Sequence, residues 1–167
     1  MTISELNALQ KEVLFDALFR CCGSSNWANQ LSNRAPFGSL EALIENSDMI
    51  WNRCSEEDGM EAFTHHPKIG DLESLERKFA ATKQWAGGEQ AGVNAADKQT
   101  LIALAEGNAA YEQKFGFIFI VCATGKTAAQ MLTILQERLR NPLADEIKIA
   151  MNEQNKITHL RLEKLIA

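Results

Sequence analysis

Apolar residues recur through most of this chain at intervals of three and four positions, which is the spacing of one face of an α-helix. The first such stretch predicts a helix from about Leu9 to Cys22 that ends at Gly23. Its apolar face is expected to carry Val13, Leu14, Ala17 and Leu18. A second helix is predicted over about Ser25 to Ser32, and Ser39 is a suitable N-cap for a third.

The middle of the chain carries further helix signals. The run Ser55-Glu56-Glu57-Asp58 has the form of a capping box and predicts a fourth, short helix. Pro67 disfavours helical backbone at the residue before it, so this helix should end near His66. A fifth helical segment is predicted from Leu72 to about Trp85.

In the C-terminal half, segments with a clear helical pattern flank one apolar segment whose secondary structure is ambiguous. Asn94 predicts the N-cap of a sixth helix that continues to about Lys114. Phe117 to Cys122 is apolar without a helical period, which is typical of a buried strand and equally of a buried extended loop or a helix start. Thr127 to Arg140 is strongly amphipathic, and a last helix runs from Leu143 to the C-terminus. The pattern predicts an all-α, single-domain helical bundle over the whole chain, with one short extended apolar segment.

The composition is that of a globular protein, with 46% hydrophobic and 23% charged residues. A net charge of −5 and a pI near 5.3 argue against a nucleic-acid-binding surface. The longest apolar run is far shorter than the roughly 20 residues that span a bilayer, and the N-terminus has no signal-peptide pattern. The four cysteines form no CxxC pair and are expected to be reduced thiols. We therefore expect a cytoplasmic protein that binds neither membranes nor nucleic acid.

His66 stands out among the three histidines because Pro67 constrains its backbone at the end of a predicted helix. Histidine titrates near neutral pH and is the commonest general acid or base. The competing interpretation is that the His66 side chain caps the last carbonyls of the helix. From the residues alone the cap is favoured over a catalytic role.

Two other positions are candidates for chemistry. Glu89 and Gln90 lie in a glycine-rich loop, where backbone amides can approach a ligand closely, although an exposed polar loop is the commoner structure. On the last helix, Arg161 and Gln154 fall in the middle of the apolar stripe that includes Leu143. A buried arginine needs a partner, which is either an internal carboxylate or an anionic ligand. By contrast, Glu137, Arg138 and Arg140 are expected on a solvated helix face.

Nucleotide and metal sites are not favoured. Gly125-Lys126-Thr127 resembles the end of a phosphate-binding loop, but Ile120 stands where that motif requires its first glycine. A turn into the next helix is the better interpretation. The histidines lack metal-ligand spacing, so no metal is expected.

Four sequence runs occur in the same order, with compatible spacing, in one known family. They are His66-Pro67-Lys68-Ile69-Gly70, Glu89-Gln90-Ala91-Gly92, Phe115 to Ala123 and Lys156 to Leu162. With these runs, over nearly its whole length, the sequence resembles the 2-oxo-4-hydroxy-4-carboxy-5-ureidoimidazoline (OHCU) decarboxylases.

The resemblance implies an all-helical homodimer without metal or organic cofactor that converts a ureide, OHCU, to (S)-allantoin and CO2 in urate breakdown. It implies that His66 and Glu89 both have acid/base roles, and that Arg161 holds the substrate carboxylate. The further substrate contacts that it implies are Pro67, Ala86, Gly87, Gly88, Gln90, Phe119, Ile120, Val121, Cys122 and Ala123. Family members commonly carry serine where this chain has Ala86, so one hydroxyl contact is expected to be absent or replaced.

Two alternatives stay open from the sequence. One is a non-enzymatic helical module that binds a ligand or a partner. The other is a decarboxylase of a related ureide, which the Ala86 departure keeps open.

Overall fold

The fold is all-α, as the sequence predicts. A computed structural model describes the chain except for residues 68–70 and 84–90, and describes only the backbone at 80–83 and 91–96. Within those limits there is no β-strand, and no helix is long and apolar enough to cross a membrane. The helices are α1 Ile3–Asn7, α2 Lys11–Cys22, α3 Ser25–Ser32, α4 Leu40–Trp51, α5 Glu56–Thr64, α6 Leu72–Lys83, α7 Ala91–Phe115, α8 Ala128–Arg138 and α9 Leu143–Ile166.

Most helices begin at a residue whose side chain caps the helix, and several of these caps are recognisable in the sequence. Ser39 accepts a hydrogen bond from the backbone N–H of Ala42, and Ser55 forms the predicted capping box with Asp58. Thr127 caps α8, so the segment that resembles a phosphate-binding loop is a turn into that helix. Such caps satisfy backbone N–H groups that have no partner inside the helix.

Two expectations about apolar helix faces and one about a helix cap were wrong. Val13 is 50% exposed, because it lies about 100° around α2 from Leu14, on which the buried face is centred. Leu143 is 49% exposed because it is the first residue of α9, and the buried apolar stripe begins only at Ile147. Asn94 lies inside α7 and is not its N-cap, since the backbone is already helical from Ala91.

The chain divides into two compact units. The first comprises Met1–His66, Ile120–Cys122 and Ile147–Ala167, and the second comprises Pro67–Phe119 and Ala123–Glu146. The core of the first unit is built mainly on α2 to α5 and α9. Its buried apolar side chains include Leu14, Leu18, Trp27, Leu31, Leu43, Trp51, Ala62 and Leu162.

Two glycines allow close helix packing in the first unit. Gly23 ends α2 with a φ of +89°, and a Cβ there would lie 2.8 Å from the Cβ of His65. Gly59 on α5 packs on Met151 of α9, where a Cβ would lie 2.9 Å from Cγ. Glycine at position 23 therefore brings the end of α2 against the end of α5, beside the candidate residue His66.

The second unit contains a buried charged group that the sequence did not predict. Arg138, expected on a solvated face, is 6% exposed, and its Nε donates to Glu146 Oε1 at 2.6 Å. The Tyr111 hydroxyl also donates to Glu146, and Asn141 donates to the second carboxylate oxygen at 3.0 Å. The Arg138 guanidinium lies 4.7 Å from the ring centroid of Phe119. The charge is thus paired, hydrogen-bonded and covered by an aromatic ring.

The ambiguous apolar segment is irregular chain. Gly116, with a φ of +80°, ends α7, and the residues that follow form neither helix nor strand. Phe117 and Ile120 are buried, at 6% and 2% exposure. Burial of these side chains explains the apolar composition without regular hydrogen bonding.

Replacing Arg138 by leucine should destabilise the protein by about 3–5 kcal/mol, because Glu146 would be left as a buried, unpaired carboxylate. Arg140→Leu is the matched control: Arg140 is exposed, and its substitution should cost less than about 0.5 kcal/mol. Chemical denaturation measures both free energies of unfolding. Equal losses for the two variants would contradict the assigned role of Arg138.

Candidate active site

His66 lies where α5 ends, in the first unit. Its backbone N–H donates to the carbonyl of Phe63 at 3.3 Å, and His65 occupies the C-cap position. The His66 side chain is half-buried, and its Nε2 lies 2.5 Å from Oε1 of Gln154 on α9. The imidazole therefore reaches across to another helix and does not cap α5 with its ring.

Gln154 is fully buried and makes hydrogen bonds with both ends of its amide. Its Nε2 donates to the Cys22 carbonyl at 3.3 Å and to Thr158 Oγ1 at 3.2 Å, while its Oε1 faces His66. The Thr158 hydroxyl in turn donates to the backbone carbonyl of Gln154 at 3.0 Å. Gln154 was noticed in the sequence only as a polar residue on an apolar stripe, and its contact with His66 was not predicted.

Arg161 lies on the same face of α9, seven residues after Gln154. It is half-buried, and its Nη1 donates to the Cys21 carbonyl at 3.3 Å. In the part of the chain that the structure describes, Arg161 forms no ion pair with a carboxylate. The expectation of an internal carboxylate partner is therefore not met among those residues, and the other guanidinium N–H groups can serve a ligand.

The end of α2 explains why these polar side chains converge. The last carbonyls of a helix have no partner inside it, and they carry the negative end of the helix dipole. Gly23 stops α2 after Cys22, so the carbonyls of Cys21 and Cys22 face α9, where Arg161 and Gln154 donate to them. Helix termination therefore holds Gln154 and Arg161 beside His66.

Burial lowers the pKa of His66 below its usual value of 6.5. The positive charges of Arg161 and His65 lower it further, whereas the hydrogen bond with Gln154 opposes the shift. The imidazole is therefore neutral at pH 7 and able to accept a proton.

Part of the expected substrate-binding segment lies in the same unit. Ile120 is buried, and Val121 and Cys122 are half-buried. The backbone N–H of Cys122 donates to Glu153 Oε2 at 2.7 Å, which attaches the segment to α9 one residue before Gln154. Glu153 was not among the residues selected from the sequence, because nothing local distinguishes it from a solvated helical glutamate.

The other residues expected to contact the substrate lie in the second unit or outside the described residues. Phe119 and Ala123 are in the second unit, where Phe119 packs against Tyr111 with ring centroids 5.2 Å apart. Pro67 also begins that unit and is exposed. The glycine-rich loop contacts Ala86, Gly87, Gly88, Glu89 and Gln90 lie outside the described residues.

Three cysteines of the first unit, Cys21, Cys22 and Cys54, are not candidate nucleophiles. Burial raises the pKa of Cys21 to about 11 and that of Cys22 to about 12. Burial is also the main reason that the pKa of Cys54 rises to about 12. A thiol with so high a pKa is almost entirely protonated at neutral pH. Among the described residues there is also no group of three or more His, Cys, Asp or Glu side chains that could hold a metal ion.

Comparison with known proteins identifies the family. A family model described as OHCU decarboxylase matches residues 7–163. The chain belongs to the OHCU decarboxylase family.

Individual relatives agree with this assignment. The chain is 40% identical to the uric acid degradation bifunctional protein TTL of Arabidopsis thaliana over 88% of its own length, although the match spans only 45% of that protein. It is 26% identical to the 2-oxo-4-hydroxy-4-carboxy-5-ureidoimidazoline decarboxylase of Halalkalicoccus jeotgali, over 99% of this chain and 92% of that protein. A crystal structure of OHCU decarboxylase in the presence of (S)-allantoin is 40% identical, with a TM-score of 0.72, and covers 90% of this chain and 97% of its own.

Removing the Glu153 carboxylate should loosen the segment that carries Cys122. We expect Glu153→Ala to lower the free energy of unfolding by about 1.5–3 kcal/mol, the typical range for a hydrogen bond to a charged group. The Cys122 amide should also exchange its hydrogen faster. Glu163→Ala, at an exposed position of the same helix, is the control and should change neither quantity. An unchanged Cys122 exchange rate in Glu153→Ala would show that this carboxylate does not hold the segment.

Proposed function

We propose that this chain is a cofactor-independent carboxy-lyase that converts OHCU to (S)-allantoin and CO2 during uric acid degradation. Membership of the OHCU decarboxylase family supports this activity. The observation on which the proposal depends most is the grouping of a half-buried histidine of lowered pKa with Arg161, whose described partner is a backbone carbonyl. Such a pair can bind a carboxylate and move a proton next to it.

The substrate itself can accept the electrons that CO2 leaves behind. In OHCU the carbon that bears the carboxylate also bears a hydroxyl group and adjoins a ring C=N bond. When the C–CO2 bond breaks, its electron pair forms a C=C bond and the C=N nitrogen becomes an amide-like anion. The hydroxyl then loses its proton to become a carbonyl, and the ureido-bearing carbon and the nitrogen anion each gain a proton. One proton is consumed overall, and no electron acceptor other than the substrate is required.

Each proposed role matches the chemistry of one side chain. His66 removes the hydroxyl proton or stabilises the hydroxyl oxygen, since its imidazole is neutral at pH 7. Arg161 orients the departing carboxylate through N–H groups that are free of an internal carboxylate among the described residues. Glu89, which lies outside the described residues, is proposed from the family resemblance to manage the proton delivered to the new stereocentre.

The remaining substrate contacts are proposed from the same resemblance. They are Pro67, Ala86, Gly87, Gly88, Gln90 and the backbone of Phe119, Ile120, Val121, Cys122 and Ala123. A homodimer and the absence of a cofactor are expectations on the same basis, and a cytoplasmic location is an expectation from the sequence patterns. The buried Ile120 and the hydrogen bond between Cys122 and Glu153 support an ordered backbone at the centre of that segment.

The stereochemistry of the product tests the activity. OHCU generated from urate by urate oxidase and 5-hydroxyisourate hydrolase decays without a catalyst through an achiral intermediate, so both allantoin enantiomers form equally. Addition of this protein should give (S)-allantoin, which circular dichroism detects. A racemic product at an unchanged rate would favour a binding module. Turnover of only another ureide would favour a related decarboxylase.

In the same assay, His66→Asn should fold normally and lower turnover by at least about 10²-fold, because a proton-transfer residue typically contributes about 10²–10⁴-fold. His159→Asn is the matched control. His159 pairs with Asp48 on α4 and is not one of the proposed catalytic or binding residues, so its replacement should leave turnover within about twofold. Decarboxylation by His66→Asn at a rate near that of the unmodified protein would exclude His66 as the catalytic residue.

The rate should depend on pH through His66. Because burial lowers its pKa, the neutral base persists below pH 6.5, and kcat/KM should fall only as the pH drops through that lowered value. Above it the rate should be constant until another group titrates. A pH profile of the purified protein locates the midpoint, and a midpoint above 6.5 would contradict the assigned cause.

A further inference from the structure

The orientation of the Gln154 amide is determined by its surroundings. The atom assigned as Nε2 lies within hydrogen-bonding distance of the Cys22 carbonyl, which can only accept a hydrogen bond. It also faces Thr158 Oγ1, whose hydrogen is donated to the backbone carbonyl of Gln154. The reversed amide would place an oxygen against both acceptors. Oε1 is therefore the end of the amide that faces His66.

This orientation determines which nitrogen of His66 carries a proton. Gln154 Oε1 has no hydrogen to donate, so the His66 Nε2 atom, 2.5 Å away, must be the donor. A neutral imidazole has one N–H, and here it is on Nε2. Nδ1 then keeps its lone pair and is the ring atom that can accept a proton.

We propose that Gln154 is a positioning residue that holds neutral His66 in the Nε2–H tautomer, so that Nδ1 is the atom that accepts the substrate proton. The tautomer follows from the contacts within the first unit. The statement about the substrate proton rests, in addition, on the proposed decarboxylase function. Gln154 contacts His66 and is itself fully buried, so its effect on the reaction is expected to pass through the imidazole.

The same hydrogen bond serves both protonation states. When Nδ1 takes up a proton, Nε2–H becomes part of an imidazolium and donates a stronger, charge-assisted bond to Oε1. The groups that act electrostatically on His66 from the described elements are Arg161 of α9 and His65 at the C-cap of α5, and both oppose the imidazolium. Gln154 is thus the described contact that favours proton uptake, and its full burial keeps water from competing for Oε1.

Nitrogen NMR of the unmodified protein tests the tautomer without any variant or substrate. Long-range ¹H–¹⁵N correlations of ¹⁵N-labelled histidine distinguish Nε2–H from Nδ1–H rings, and His66→Asn identifies the signals of His66. Above the pKa of His66 we expect a single Nε2–H tautomer. An Nδ1–H tautomer, or an even mixture of the two, would overturn the proposal.

Two substitutions of Gln154 should shift the titration of His66 in opposite directions. Gln154→Met removes the acceptor, so a second tautomer should appear and the NMR titration midpoint should move to lower pH. Gln154→Glu keeps an acceptor oxygen and adds negative charge, so the Nε2–H tautomer should persist and the midpoint should rise. Gln136→Met is the matched control at an exposed glutamine of α8. Shifts in the same direction for both variants, or a wild-type tautomer and midpoint in Gln154→Met, would indicate a merely structural role.

Turnover provides the second readout. Gln154→Met should lower kcat about tenfold, the factor that corresponds to one hydrogen bond of about 1.4 kcal/mol, with a much smaller change in KM. The acid limb of the pH profile should shift with the NMR midpoint. A protein that shows the Nε2–H tautomer but does not decarboxylate OHCU would refute the proposed function and leave the assigned tautomer standing. A protein that decarboxylates OHCU but shows the Nδ1–H tautomer of His66 would refute the assigned tautomer and leave the proposed function standing.

Discussion

The arrangement of the candidate site depends on how α2 ends. A helix that stops leaves carbonyl groups without partners, and in a packed interior these must be satisfied by other donors. Here Gly23 ends the helix, and the carbonyls of Cys21 and Cys22 receive Arg161 and Gln154 from α9. The two side chains that satisfy the carbonyls at the end of α2 are thus the same two that lie next to His66.

The two compact units treat buried polarity differently. In the second unit the Arg138 guanidinium forms an ion pair with the Glu146 carboxylate, and Asn141 donates a further hydrogen bond to that carboxylate. The positive charge of Arg138 is therefore balanced inside the protein. In the first unit Arg161 meets only a carbonyl among its described partners, and His66 is neutral because burial disfavours its charged form. The charge of a completed ion pair is already matched inside the protein, whereas an incompletely matched arginine beside a neutral base can bind and act on an anion.

Much of the fold could be predicted because its signals are local. Helix α3 has its predicted bounds, and α5 begins at its predicted capping box and ends before Pro67, as expected. Errors arose where a local pattern has two outcomes. Asn94 has the residue type of an N-cap but lies inside a helix that begins earlier. Arg138 has the local pattern of a surface residue, because its partner Glu146 lies on another helix and contacts it only in the folded protein.

Local patterns along the chain were enough to predict the all-α class and most helix boundaries, and they selected His66 and Arg161 as candidates. Periodicity, caps and breakers act over a few residues, and the family resemblance depends on the order of residues along the chain. Tertiary structure alone decided that the His66 ring contacts Gln154, 88 positions away, and that Arg161 donates to a carbonyl 140 positions away. Contacts of that kind depend on how helices pack and on which backbone groups their ends leave unpaired, and no spacing along the chain encodes either.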